Sequence, residues 1–170
     1  LRINTKSGDV QRDVSTARNE IVTRTVRPDP AVQAIVSEAV AKSAPIANRQ
    51  VGTITTDIVK TPAPSGESPL GNLIADSQLE ATTSAGAQIA LMNPGGVRVD
   101  LTFASSRAGE GDGVVTYSEA FAVQPFGNTL YRITVTGEAL RAYLERLVAR
   151  NDPRYHVSGV QLTYDPAAAP

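Results

Sequence analysis

The order of elements along this 170-residue chain predicts an α+β layered fold. Three observations point there. Helical stripes and β-prone runs are interleaved, but not in the strict βαβ alternation of a doubly wound sheet. No internal repeat and no strong low-complexity tract is visible. The composition, 41% hydrophobic and 19% charged, suits one globular domain with room for a fragment of another.

The first 27 residues alternate polar and apolar side chains weakly. Lys6-Ser7-Gly8 reads as a hairpin turn between Leu1–Asn4 and Asp9–Gln11, and the β-branched run Asn19–Val26 as extended. This segment is too short to own a core and reads as the tail of a preceding domain. Asp29 and Pro30 then open a helix as N-cap and first helical residue. Val32, Ile35, Val36, Ala39 and Val40 form its apolar stripe, and Pro45 stops it. The helix is either an ordinary packing helix or a connector between domains.

Val51–Lys60 reads as a strand, with Val51, Thr53, Thr55 and Asp57 on one face. Thr61–Gly66 is a loop. Ser68 and Pro69 open a second helix running to about Thr83, with Asn72 and Asp76 on one face in structural roles. Gly71, early in this helix, implies a close approach by other backbone. Ala87–Met92 is a buried strand. Val99–Phe103 leads into the polar, glycine-rich stretch 104–113, in which Glu110 and Asp112 are solvated charges, as is Asp100 before it. Val114–Tyr117 is a short strand, Ser118 caps a brief helix to Val123, and Thr129–Val135 is a further strand. Thr136-Gly137 begins a helix striped by Leu140, Tyr143, Leu144, Leu147 and Val148, ended by Asn151-Asp152-Pro153. Val157–Tyr164 is the last strand. Phe103 and Phe121 sit on ordinary apolar patterns and are assigned to the core; His156 is structural or exposed.

Two turns stand apart from this scaffold. Met92-Asn93-Pro94-Gly95-Gly96-Val97-Arg98 follows a core strand with an amide, a proline, two glycines and an arginine. Gly95 and Gly96 permit positive φ and a close approach to bare backbone, and successive N–H groups in such a turn can form an anion-binding nest. Arg98 adds a planar fork of donors, and Asn93 both a donor and an acceptor. In Val123-Gln124-Pro125-Phe126-Gly127-Asn128 a phenylalanine stands between a proline and a glycine, where core packing rarely places one. Together the turns suit an anionic ligand with a flat ring.

Several functions are excluded. The net charge of −1 offers no bulk field to nucleic acid or anionic membrane, and no apolar run is long enough to span a bilayer. Cysteine is absent, which removes disulfides, thiolate catalysis and zinc–cysteine sites. His156 is the one histidine, no metal-ligand spacing occurs, and neither a phosphate-binding loop nor a nucleophile elbow is present. The chain is therefore expected to hydrolyse nothing by itself. It begins at Leu1 and reads as a processed or cut piece, so a missing signal peptide says little.

Glu67-Ser68-Pro69-Leu70-Gly71-Asn72-Leu73-Ile74-Ala75-Asp76, Asn93–Arg98, Val115–Tyr117, Val123–Leu130 and Leu162–Asp165, in that order, resemble the C-terminal domain of the 5'-nucleotidases. That family includes UDP-sugar hydrolases and cyclic-nucleotide phosphodiesterases. The resemblance covers about residues 28 to 170. It implies an α/β/β/α sandwich at 46–170, cut short at its C-terminal end, a connector helix at 28–45, and the tail of a metallophosphatase domain at 1–27. It implies that the chain recognises the nucleoside part of a nucleotide while a separate domain with two divalent metal ions removes phosphate. No cofactor is implied in this chain itself. By motif position Phe126 is one of two aromatics clamping the base, and Asn93 and Arg98 contact base, ribose or non-scissile phosphate. The candidate binding residues are thus Asn93, Gly95, Gly96, Arg98, Phe126, Gly127 and Asn128. The implied partners are a nucleotide or nucleoside and the metallophosphatase domain of the same protein; the implied location is secreted, periplasmic or cell-surface.

The sequence departs from the family pattern in three places. Pro94 replaces the first glycine of the usual Asn-Gly-Gly-Gly. Pro64 stands where some members carry an arginine, which leaves Lys60 as the nearest upstream cation. The second clamping aromatic, in a Gly-Gly-Asp-Gly-aromatic motif, is missing. The alternative class is a non-catalytic nucleotidase-like module used for binding or surface interaction. The upstream coding sequence separates the two, since it contains the metal ligands or does not.

Overall fold

The computed structural model describes residues 1–105, 108–149 and 155–165. They divide into two compact units, one of residues 1–40 and one from Ala41 onward. In the first, Ile3 and Val10 pair across the expected turn, where Asn4 Oδ1 accepts from Lys6 N at 2.9 Å and Gly8 takes a φ of +76°. The run Asn19–Val26 forms no strand and stays exposed.

Helix α1 (Pro30–Ala47) is capped as the sequence predicts: Asp29 Oδ1 accepts from Ala31 N at 2.9 Å and Val32 N at 3.1 Å. Pro45 does not stop it but lies inside the last turn. A proline removes one donor without forcing an end when the chain can still close behind it, and Asn48 N does so on Ala44 O at 2.9 Å. The Val32–Val40 stripe is exposed, and α1 buries no residue.

In the second unit β1 (Gln50–Thr53) pairs antiparallel with β3 (Val114–Thr116), and β2 (Ala90–Met92) with β4 (His156–Ser158). Helix α2 (Pro69–Thr83) packs on the β2–β4 sheet, and α3 (Tyr117–Val123) on the β1–β3 sheet. Leu70, Ile74 and Ala75 from α2 meet Met92, Val97, Leu101, Val115 and Val123 in one core. Each fully buried aliphatic of this size contributes about 1.5–3 kcal/mol. Among the described residues no helix is long and apolar enough to cross a membrane.

Local chemistry accounts for α2. Ser68 Oγ accepts from Gly71 N at 3.1 Å, and Pro69 takes a first-turn position that needs no N–H donor. For α3 the cap is Thr116, not Ser118. Glu119 N reaches Thr116 Oγ1 at 3.4 Å while Glu119 Oε2 accepts from Thr116 N at 2.9 Å, a reciprocal box that also ends β3 one residue before Tyr117.

The expected strands are shorter than their patterns. The run Val51–Lys60 leaves the sheet after Thr53 and returns only as a bridge from Ile58 to Leu101, while Asp57 Oδ1 accepts from Phe103 N at 2.7 Å. The last strand stops at Ser158. Thr129–Val135 is no strand. Its main chain makes no hydrogen bond to a described residue, Tyr131 is 87% exposed, and Arg132 donates to the Ala85 carbonyl instead. Helix α4 (Gly137–Ala149) follows, with Leu140, Leu144, Leu147 and Val148 half-buried and Tyr143 exposed. Phe121 is not core: it is half exposed and stacks on Tyr117 with 6.2 Å between ring centres. Glu110 is not a solvated charge: Oε2 accepts from Ala108 N at 2.7 Å and Oε1 is buried. Asn151-Asp152-Pro153 lies outside the described residues.

The close approach at Gly71 is made by a side chain. A Cβ there would stand 2.2 Å from the His156 ring. His156 is 2% exposed, and its Nδ1 accepts from Ser68 N at 3.3 Å. Burial holds this imidazole below its ordinary pKa, opposed by the Glu67 carboxylate.

This contact can be tested in two ways. Gly71→Ala overpacks the ring and is expected to cost about 1–3 kcal/mol in urea unfolding; pairing it with His156→Ala should recover part of the loss. Because the folded value lies below the unfolded one, the stability contributed by His156 is complete above about pH 6.5. It is lost as pH falls from there toward the folded value, at no more than about 1.4 kcal/mol per unit. Denaturant midpoints between pH 7.5 and 5.5 should show this slope in the native chain and a flatter one in His156→Gln, whose amide still accepts from Ser68.

Candidate functional site

The first candidate turn begins where β2 ends. Asn93 is extended (φ −77°, ψ 143°), and Pro94–Gly96 form one 3-10 turn. Gly96 N bonds to Asn93 O at 3.2 Å and Val97 N to Pro94 O at 3.1 Å. Two expectations are corrected here. Neither Gly95 nor Gly96 has positive φ, because Pro94 fixes the turn in the right-handed region. The Gly96 and Val97 amides are used inside the turn, so they form no open nest. Gly96 is required for packing: it is buried, and a Cβ would stand 2.2 Å from Met92 Cε.

The second turn is tied to the first through the backbone. Arg98 N donates to Val123 O at 2.8 Å. Gln124 Nε2 also approaches Met92 Sδ at 3.4 Å. Phe126 N bonds back to Gln124 O at 2.8 Å, a tight reversal that turns the ring outward. Phe126 is 43% exposed, and Gly127 and Asn128 are exposed beside it. The structure therefore brings the Asn93–Arg98 and Val123–Asn128 turns together.

Their polar side chains are open. Asn93 makes no side-chain hydrogen bond with a described residue. One arm of the Arg98 guanidinium, Nη1, donates to Gly95 O at 3.2 Å, and no described carboxylate pairs with it. Lys60 lies against the same turn. Its Nζ donates to Arg98 O at 3.1 Å and its backbone N to Asp100 Oδ1 at 2.7 Å, so Asp100 is a structural acceptor rather than a solvated charge. A cavity of about 290 Å³ opens here, lined by Lys60, Thr61, Pro62, Gly66, Pro94, Val97 and His156. The sequence marks Lys60 only as the nearest upstream cation and gives no sign that His156 and Thr61 share a cavity with it. Those three are separated by up to 96 positions, and only the fold joins them.

Among the described residues no three His, Asp or Glu side chains converge, and the chain has no cysteine. The arrangement can bind and orient a ligand through a ring face, an amide and cations.

Comparison with known proteins agrees with this architecture. Residues 50–170 match the family described as 5'-nucleotidase, C-terminal domain. A cell wall protein of Listeria monocytogenes is 31% identical over 152 residues, covering 84% of this chain and 19% of its own length. The endonuclease YhcR of Bacillus subtilis is 31% identical over 141 residues, covering 82% of this chain and 11% of its own. The crystal structure of a 5'-nucleotidase precursor from Thermus thermophilus superposes with a TM-score of 0.59 at 32% identity, covering 76% of this chain and 25% of that one. The chain thus spans about a fifth or less of the length of these curated relatives. On the family match and the shared α+β fold, this chain belongs to the 5'-nucleotidase family and carries its C-terminal domain.

Proposed function

We propose that this domain recognises the nucleoside part of a nucleotide within a larger 5'-nucleotidase-type hydrolase. The observation that carries the reading is the 2.8 Å bond from Arg98 N to Val123 O. It holds two turns side by side and leaves Asn93, Arg98 and Phe126 exposed at their junction. A base stacks on the free face of Phe126. The Asn93 amide supplies a donor and an acceptor to a base edge or ribose. Arg98 meets an anionic oxygen with the arm not engaged by Gly95. Gly95, Gly127 and Asn128 line the approach, and Gly96 keeps the turn's shape from below.

In this reading the hydrolytic step belongs to a metallophosphatase domain with two divalent ions elsewhere in the protein; among the described residues no three His, Asp or Glu side chains converge. In this reading residues 1–27 are the tail of that domain, 28–45 the connector and 46–170 the recognition domain. A secreted, periplasmic or cell-surface location is supported by relatives named as a cell wall protein and a 5'-nucleotidase precursor.

Two substitutions test the reading in the full-length protein. Arg98→Ala should weaken AMP more than adenosine, by about 1.5–3 kcal/mol for a charge-assisted bond to a desolvated phosphate oxygen. Equal losses for both ligands would assign Arg98 to the turn's structure. Phe126→Ala should raise the Kd or KM for nucleotides about tenfold, as expected when a stacking platform is removed. Its denaturant midpoint should barely move, because a side chain already 43% exposed gives up far less than the about 3–5 kcal/mol of a core phenylalanine. A large drop in midpoint would make Phe126 a core residue and overturn the stacking role.

A further inference from the structure

Met92 is the one methionine in the chain, is 4% exposed, and stands immediately before Asn93. Its side chain meets both candidate turns. The methyl group fills the place that a Gly96 Cβ would take. The sulfur faces two amide groups: Gln78 Nε2 of α2 at 3.5 Å and Gln124 Nε2 at 3.4 Å. A thioether is a weak acceptor, so two donors on one sulfur call for more than a packing account. A leucine would fill much the same space and leave both amides, each half-buried, without this acceptor.

The two amides differ in what they hold. Gln78 lies inside α2, which is secured by its own ladder. Gln124 ends α3 and leads into residues 125–128, which are exposed throughout. Among the described residues those four make no backbone hydrogen bond outside the turn, because the Phe126 N–H goes back to Gln124 O at 2.8 Å. Arg98 N fixes the chain one residue earlier, at Val123 O. The Phe126 ring therefore hangs on Gln124. The bond to Met92 is the one hydrogen bond that the Gln124 side chain makes with a described residue.

We propose that Met92 is a positioning residue that sets the two turns against each other. Its methyl group seats the Asn93–Arg98 turn at Gly96, and its sulfur, through Gln124, seats the turn that carries Phe126. The contact also orients the amide, since the amide oxygen turned inward would face the sulfur lone pairs. That the positioned ring stacks on a base rests on the nucleotide reading above; the positioning itself does not.

Met92→Leu keeps the apolar volume and removes the acceptor, and Gln124→Leu removes the donor at a half-buried position. Nitrogen relaxation in this chain reads the result. Backbone order parameters at Phe126, Gly127 and Asn128 should fall from about 0.85 toward about 0.6 in either variant, and no further in the double variant. Gln78→Leu strips the same sulfur of its other donor and should leave these amides as they are. A merely structural Met92 would lower the denaturant midpoint in Met92→Leu without changing order at 126–128. Gln124→Leu decides the matter should Met92→Leu fail to fold. Unchanged order in Gln124→Leu with a native circular dichroism spectrum overturns the proposal, and so does an equal loss of order in Gln78→Leu. In the full-length protein Gln124→Leu should raise KM for nucleotides about fivefold with kcat unchanged, since it disturbs binding and touches no reacting group. Lost order with an unchanged KM leaves the positioning standing and removes the stacking role of Phe126. A raised KM with 126–128 still ordered does the reverse. Absence of any nucleotide turnover counts against the nucleotide reading alone.

Discussion

The domain around the candidate site depends on a bare backbone at Gly71. With no Cβ there, the His156 ring lies against the first turn of α2 and takes the Ser68 N–H. That contact fixes β4 to the start of α2, and β4 carries β2 by its ladder. The end of β2 is where the Asn93–Arg98 turn begins. The turn is therefore aimed by a contact at His156, the ladder partner of Met92, the residue just before it. Ser68 serves both sides of this joint, donating its N–H to His156 while its hydroxyl accepts from Gly71. Breaking either bond frees a buried donor, which makes the joint hard to loosen in small steps.

Much of this is legible in the sequence where the determining chemistry is local. Ser68-Pro69 specifies the start of α2 because a cap and a first-turn proline act within four residues. Asp29-Pro30 does the same for α1. The Thr116-x-x-Glu119 box is equally local and present in the sequence, but Ser118 competes as a cap by residue type and only geometry separates them. The candidate turns are legible as turns, and Phe126 as an exposed ring, because proline and glycine on either side leave it no helix or strand to pack from.

What the sequence does not reveal is non-local. Thr129–Val135 has the alternation and β-branched content of a strand, but a strand exists only with a partner edge, and no described residue supplies one. The reason for Gly96 is hidden for a related cause. A glycine after a glycine suggests conformational freedom, while the constraint here is the Met92 methyl four residues earlier in the chain. His156 lies 88 residues from Ser68, and no pattern around it announces the partner. Its burial is decided by the pairing of β4 with β2, which the sequence places only approximately.

The replacement of a glycine by Pro94 has consequences for how an anion is met. A flexible glycine turn can open its amides into a concave row of donors. Pro94 brings no N–H of its own and fixes φ, and the 3-10 turn it starts uses the Gly96 and Val97 amides internally. Arg98 N, the amide that follows, is engaged by Val123 O. Three of the turn's four amides after Pro94, those of Gly96, Val97 and Arg98, are therefore committed to structure, and in the proposed reading negative charge is met mainly by side chains. Arg98 projects from the turn, and Lys60 docks on its carbonyl from the neighbouring segment. A site of the proposed kind replaces the fixed dipoles of a nest with two full side-chain charges. Recognition of an anion here should accordingly be more sensitive to ionic strength than recognition by backbone amides alone, since exposed side-chain charges are screened over about 8–10 Å in physiological salt.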